Sequence, residues 1–99
     1  MVLAKDSREL ESVCRRYGVR RLSLFGSAVR GELGPDSDVD FLVEYDPSKR
    51  PGMVEMQELE DRLSALYGGR KVDLVNPKYL NPRVKKRILA EAQLQYGEG

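Results

Sequence analysis

Apolar and polar positions follow two rhythms along this chain, one close to 3.6 residues and one of two, and the switches between them divide it into segments. Leu10, Val13, Cys14 and Tyr17 recur at i, i+3, i+4 and i+7, one face of an amphipathic helix. Asp6 followed three residues later by Glu9 resembles a capping box, and Gly18 supplies the stop. Val19 to Phe25 is β-rich and predicts a strand that runs straight into Gly26. Residues 27–33 predict a short helix whose first amides face whatever the turn cradles, and Gly34-Pro35-Asp36 breaks it.

From residue 38 to 45 the rhythm becomes two: Val39, Phe41 and Val43 form a core face, with Asp38 and Asp40 on the other. Residues 46–52 read as a loop. Met56, Leu59, Leu63, Leu66 and Tyr67 then mark a long helix ended by Gly68-Gly69. Residues 71–75 predict a third strand, with Val72 and Leu74 pointing one way and Asp73 the other. Asn76-Pro77 turns the chain, and Asn81-Pro82 is an N-cap followed by proline at the first helical position. Val84, Ile88, Leu89, Ala92 and Tyr96 give a last helix its stripe, and residues 97–99 are expected to fray. The order is α-β-α-β-α-β-α, an α/β (α+β) fold in which helices flank a small mixed sheet.

Ninety-nine residues suffice for one domain, 1–99, and leave no room for a second of ordinary size. Lys and Arg number 17 against 16 Asp and Glu, so no global charge favours stable nucleic-acid or acidic-membrane binding. The local clusters (Arg15, Arg16, Arg20, Arg21; Lys78, Arg83, Lys85, Lys86, Arg87; and the acidic Glu55, Glu58, Glu60, Asp61) read as solvated helix faces. A single cysteine, Cys14, excludes an intrachain disulfide and lies at a core spacing. The absence of histidine excludes Ser-His-Asp and Cys-His catalysis and leaves carboxylates, Lys or Tyr for acid-base work. No apolar run approaches a membrane span or signal peptide, so a soluble cytoplasmic protein is expected.

The chemistry concentrates between Gly26 and Asp40. That stretch holds a glycine-serine turn (Gly26, Ser27), Arg30, and two aspartates one residue apart. On a strand, Asp38 and Asp40 point the same way, and two carboxylates about 4 Å apart repel by roughly 4 kcal/mol at an effective dielectric near 20. A hard divalent cation with oxygen ligands answers that repulsion. Two simpler patterns fail. A calcium loop counted from Asp36 needs Gly sixth and Glu twelfth, where this chain has Phe41 and Pro47. A P-loop built on Gly26 and Gly31 needs Lys and Ser or Thr next, where this chain has Glu32 and Leu33. A plain strand-to-helix turn, a polar loop ahead of a strand, and an Arg30–Glu32 surface salt bridge are the structural alternatives for these residues. Asp73 tips the balance. It is the lone charge in Val72-Asp73-Leu74-Val75, and if its strand pairs with the second, three aspartates converge opposite the core. An unpartnered triad would cost several kcal/mol, which two divalent ions would remove while clamping both oxygens of a phosphoryl transfer.

Gly26-Ser27, Arg30-Gly31, Ser37-Asp38-Val39-Asp40 and Val72-Asp73-Leu74 resemble the signature of the DNA polymerase beta-like nucleotidyltransferases. The match covers nearly the whole chain and is to the minimal nucleotidyltransferases, the MNT antitoxin group. The resemblance implies the polymerase beta palm-like fold and roles residue by residue. Asp38 and Asp40 would bind the Mg2+ ions that carry ATP, and Asp73 would share the catalytic metal and act as general base. Gly26 would admit the phosphates, Ser27 would hydrogen-bond them, and Arg30 would pair with the triphosphate. Larger relatives carry a second domain for the acceptor, so the resemblance implies an acceptor on another protein, a HEPN-domain ribonuclease toxin whose tyrosine receives AMP. An antitoxin that neutralises by binding alone, and an enzyme acting on a small molecule such as an aminoglycoside, are the competing readings.

Overall fold

The computed structural model describes residues 6–32, 34, 36–49 and 51–97. Helix α1 (Ser7–Arg16) starts where Asp6 accepts hydrogen bonds from the amides of Arg8 at 2.9 Å and Glu9 at 3.2 Å. Those amides have no partner inside the helix, which is why a short acidic side chain suits the position. Leu10, Val13 and Cys14 are buried, as the spacing predicts, and the chain leaves the helix through Gly18 at φ +70°. Strand β1 (Val19–Phe25) follows, then α2 (Ser27–Arg30), β2 (Val39–Tyr45), α3 (Met53–Leu66), β3 (Val72–Val75), a 3-10 turn at Pro77–Tyr79, α4 (Pro82–Glu91) and β4 (Gln93–Gly97).

The four strands form one mixed sheet in the order β3-β2-β1-β4. Strand β1 pairs antiparallel with β2 and with β4, whereas β3 runs parallel to β2 after the crossover through α3. Helices α1 and α3 cover one face. There Leu22, Leu24, Val39, Phe41 and Val43 meet Cys14, Leu59 and Leu63 in a single buried cluster. The Phe41 and Tyr67 rings meet edge to face, centroids 4.9 Å apart. Polar tips tie the layers together. The Tyr17 hydroxyl donates to Glu58 at 2.9 Å and accepts from Arg62 at 3.1 Å, joining α1 to α3. The Tyr67 hydroxyl donates to Gln95 of β4 at 2.8 Å.

Three expectations are corrected. The short second helix is one turn, ending at Arg30 because Gly31 adopts the left-handed conformation at φ +73°; Leu33, the end of the expected helix, lies outside the described residues. Met56 does not join the buried stripe of α3, which begins at Leu59. The largest correction concerns the C-terminal segment. Its helix stops at Glu91, Ala92 turns to an extended conformation (φ −64°, ψ 141°), and Tyr96 belongs to a strand. Leu22 pairs with Tyr96 and Arg21 with Gly97, so Gly97 is ordered in the sheet, and residues 98–99 lie outside the described residues. The 88-92-96 spacing fits a helix, but no residue of α4 is buried, so continuing it would have gained little apolar burial. Pairing gives β1 a second hydrogen-bonded neighbour and sets Tyr96 against the core. Asn81 and Pro82 begin α4 as expected, Asn81 accepting from the Arg83 amide at 2.9 Å. Among the described residues no helix is long and apolar enough to cross a membrane.

Cys14 is fully buried, and that burial pushes its thiol from the ordinary 9.0 up to about 12. Between those two values the folded protein keeps a proton that the unfolded chain has lost. Stability therefore falls as pH rises through that window. A thiol-specific reagent at neutral pH should leave Cys14 unmodified until denaturant unfolds the protein, and urea midpoints should drop between pH 9 and 11 in the wild type but less so in Cys14→Ala.

Candidate active site

The face of the sheet opposite the α1–α3 core carries the charged residues. Residues paired across strands share a face, so the register decides which side chains meet. Phe25 pairs with Asp40 across β1–β2, and Asp40 pairs with Asp73 across β2–β3. The expected pairing of the second and third strands is therefore present, and it sets two of the three aspartates side by side. The Val39 amide donates to the Lys71 carbonyl at 2.8 Å, which starts the parallel ladder at this end. Asp38 stands immediately ahead of β2, two residues from Asp40.

Their surroundings differ. Asp38 and Asp73 are exposed, whereas Asp40 is half-buried. Burial raises the Asp40 carboxyl above its ordinary range, the negative charges of Asp73 and then Asp38 add to the rise, and Arg30 opposes it. All three charged neighbours thus act on Asp40. Among the described residues no three carboxylate or thiolate groups are gathered tightly enough to ring a cation as they stand. The donor set itself, carboxylate oxygens with no histidine in the sequence, suits a hard divalent ion such as magnesium.

Gly26 ends β1 in a conformation that L side chains rarely adopt, φ 72° and ψ −141°. A Cβ placed there would lie 2.8 Å from Oδ2 of Asp40. The glycine is required both by its backbone angles and by the carboxylate pressed against it, so the turn and the aspartate occupy one place. Ser27 follows at the start of α2, half-buried. Arg30 closes α2, its Nε 3.0 Å from Glu32 and its Nη1 3.4 Å from Glu91. The Arg30–Glu32 salt bridge offered by the sequence as the plain alternative is formed.

Two contributors escaped the sequence reading. Glu91, the last residue of α4, accepts from the Gly26 amide at 3.2 Å as well as from Arg30, both through Oε1. Its only trace in the sequence is that it is the sole acid in a helix holding Arg83, Lys85, Lys86 and Arg87. Arg70 donates to the Gly34 carbonyl at 2.6 Å, and Ser37 accepts from the Gly34 amide at 2.9 Å; together they shape the loop that delivers Asp38. No local pattern marks Arg70, which sits after the Gly68-Gly69 stop.

The model of the nucleotidyltransferase domain family matches residues 7–95. The chain is 42% identical over 90 residues to the protein adenylyltransferase MntA of Thermococcus cleftensis, a match covering 91% of this chain and 85% of that protein. A solved minimal nucleotidyltransferase shares 35% identity at TM-score 0.71, covering 87% of this chain and 85% of its own. A chain from the complex of a tri-AMPylated Shewanella oneidensis HEPN toxin with an MNT antitoxin aligns at TM-score 0.60 over 93% of this chain and 70% of that one; at 17% identity this likeness is one of fold.

Gly26→Ala should force both a strained backbone and a shifted Asp40 carboxylate. Urea unfolding should show a loss of about 1–3 kcal/mol, and nucleotidyl transfer should fall by more than that loss of folded protein explains.

Proposed function

This chain belongs to the nucleotidyltransferase domain family, among its minimal nucleotidyltransferases, and on that footing we propose that it transfers AMP from ATP to a tyrosine of a HEPN-domain toxin and so silences it. The observation that carries this reading is the register of β2 and β3, which places Asp40 and Asp73 side by side with Gly26 pressed on Asp40. Asp38, Asp40 and Asp73 would hold two magnesium ions. Bound there, the metal supplies Lewis-acid stabilisation of the charge that develops on the phosphoryl oxygens.

The residues divide the remaining work. The Gly26 amide and the Arg30 guanidinium bind the triphosphate, and the missing side chain at residue 26 lets the phosphates approach the backbone beside Asp40. Ser27 offers a hydroxyl to the same oxygens. Asp73, exposed at the open side of the pair, takes the proton of the acceptor hydroxyl. The tyrosine oxygen then bonds to the α-phosphorus, the bond from that phosphorus to the bridging oxygen breaks, and pyrophosphate leaves. The partner supplies the tyrosine, and no part of the described chain needs to enclose it.

A second reading, neutralisation by binding alone, draws on one observation: Arg30 is already engaged by Glu32 and Glu91. Co-expression with the toxin separates the two. Under the enzymatic reading the toxin gains the mass of one or more AMP groups on tyrosine, and Asp73→Asn slows labelling about 10²- to 10⁴-fold. An Asp73→Asn chain that neutralises the toxin fully, with no nucleotide on it, would establish occlusion instead. Millimolar magnesium with ATP should raise the melting temperature, a free-energy gain of about 2.7 kcal/mol at one hundred times Kd. An unmoved melting curve would count against the site.

A further inference from the structure

Glu91 makes a contact that a catalytic nucleotidyltransferase has no evident need for. Its Oε1 accepts from the Gly26 amide at 3.2 Å and lies 3.4 Å from Nη1 of Arg30. These are two of the three groups proposed above to hold the triphosphate. A carboxylate oxygen and a phosphate oxygen carry the same kind of charge and accept the same hydrogen bonds. One amide proton aimed into one turn cannot serve both, so the chain supplies an anion of its own to the cradle.

The contact is built to be released. Helix α4 buries none of its residues, so little apolar packing holds its end in place. The Glu91 side chain is 31% exposed and can reach solvent without crossing the core. Arg30, half exposed, keeps Glu32 as a second partner at 3.0 Å and loses no charge pairing outright when Glu91 leaves. Beyond Glu91, β4 is anchored separately by its ladder to β1 and by the Tyr67–Gln95 hydrogen bond. Movement can therefore be confined to the end of α4.

We infer that Glu91 is an affinity-determining residue, an internal competitor that occupies the phosphate cradle and must withdraw from Gly26 and Arg30 for a nucleoside triphosphate to bind. The inference rests on the reading that Gly26 and Arg30 hold phosphate. A state with Glu91 seated is closed to the triphosphate, and apparent affinity is reduced by the fraction of molecules in it. The competition is at the phosphates, so it acts on any triphosphate irrespective of base.

Calorimetric titration of the full chain with ATP and magnesium, and separately with inorganic triphosphate, tests this. Glu91→Gln keeps an acceptor of the same size but removes the charge, and Glu91→Ala removes both. Each variant should bind ATP about three- to tenfold more tightly than the wild type, with the same factor for inorganic triphosphate and none for adenosine. In the wild type, ATP should move the Gly26 amide resonance, and Glu91→Ala should move it without ligand. ATP binding that is unchanged or weaker in Glu91→Gln, with an unaltered melting temperature, would overturn the inference and make Glu91 a positioning residue for Arg30. Equal tightening for adenosine would also overturn it. Failure of the wild type and both variants to bind ATP or triphosphate would overturn the nucleotide reading itself, and this inference with it.

Discussion

Asp40 and Asp73 stand beside each other because β3 runs parallel to β2 in a register that pairs them. A slip of one residue would turn Asp73 into the core and Leu74 outward, since successive side chains on a strand face opposite ways. The register is held from the other side of the sheet, where Val39, Phe41 and Val72 are buried against α3 and Tyr67. The apolar face thus determines the placement of the charged one. The crossover through α3 makes this possible, because a parallel partner needs a long connection and α3 packs on the face that the connection must cover.

The charges so placed are uncomfortable, and the structure manages them unevenly. Asp40 bears most of the burden, half-buried with two like charges acting on it, while Asp38 and Asp73 stay in solvent. On the proposed reading, two carboxylates in different environments would divide the work, the half-buried one holding a cation and the exposed one meeting an acceptor. The glycine turn adds a backbone amide at the same point, where any other residue would be strained and would displace the Asp40 carboxylate. Strain and repulsion are concentrated at the candidate site, and the buried apolar cluster lies on the opposite face.

The C-terminal segment joins these two halves of the molecule. Helix α4 has no buried residue of its own, yet it delivers Glu91 to the Gly26 turn and hands the chain to β4. Strand β4 then completes the sheet at the edge of β1 and accepts a hydrogen bond from Tyr67 of the core. A weakly packed helix between a firmly paired strand and the Gly26 turn is an element whose position a ligand at that turn could change at small cost.

Local pattern was enough for most of the architecture. The Asp6 cap, the buried stripe of α1 with Cys14 in it, the alternation of β2 and the Asn81-Pro82 start are set by neighbours within a few residues, and the sequence alone determined them. The candidate site residues were legible for the same reason: Gly26, Ser27, Arg30, Asp38 and Asp40 lie within fifteen positions, and Asp73 is conspicuous as a charge inside an apolar strand. Tertiary structure decided the rest. Residues 92–97 satisfy a helical spacing as well as a strand's, and only the open edge of β1, some seventy positions earlier in the chain, settles the choice. Glu91 at Gly26 and Arg70 at Gly34 are pairings across 65 and 36 residues. Hydrogen bonds of that range leave no periodic trace, because a single side chain meets its partner only after the sheet has brought their elements together.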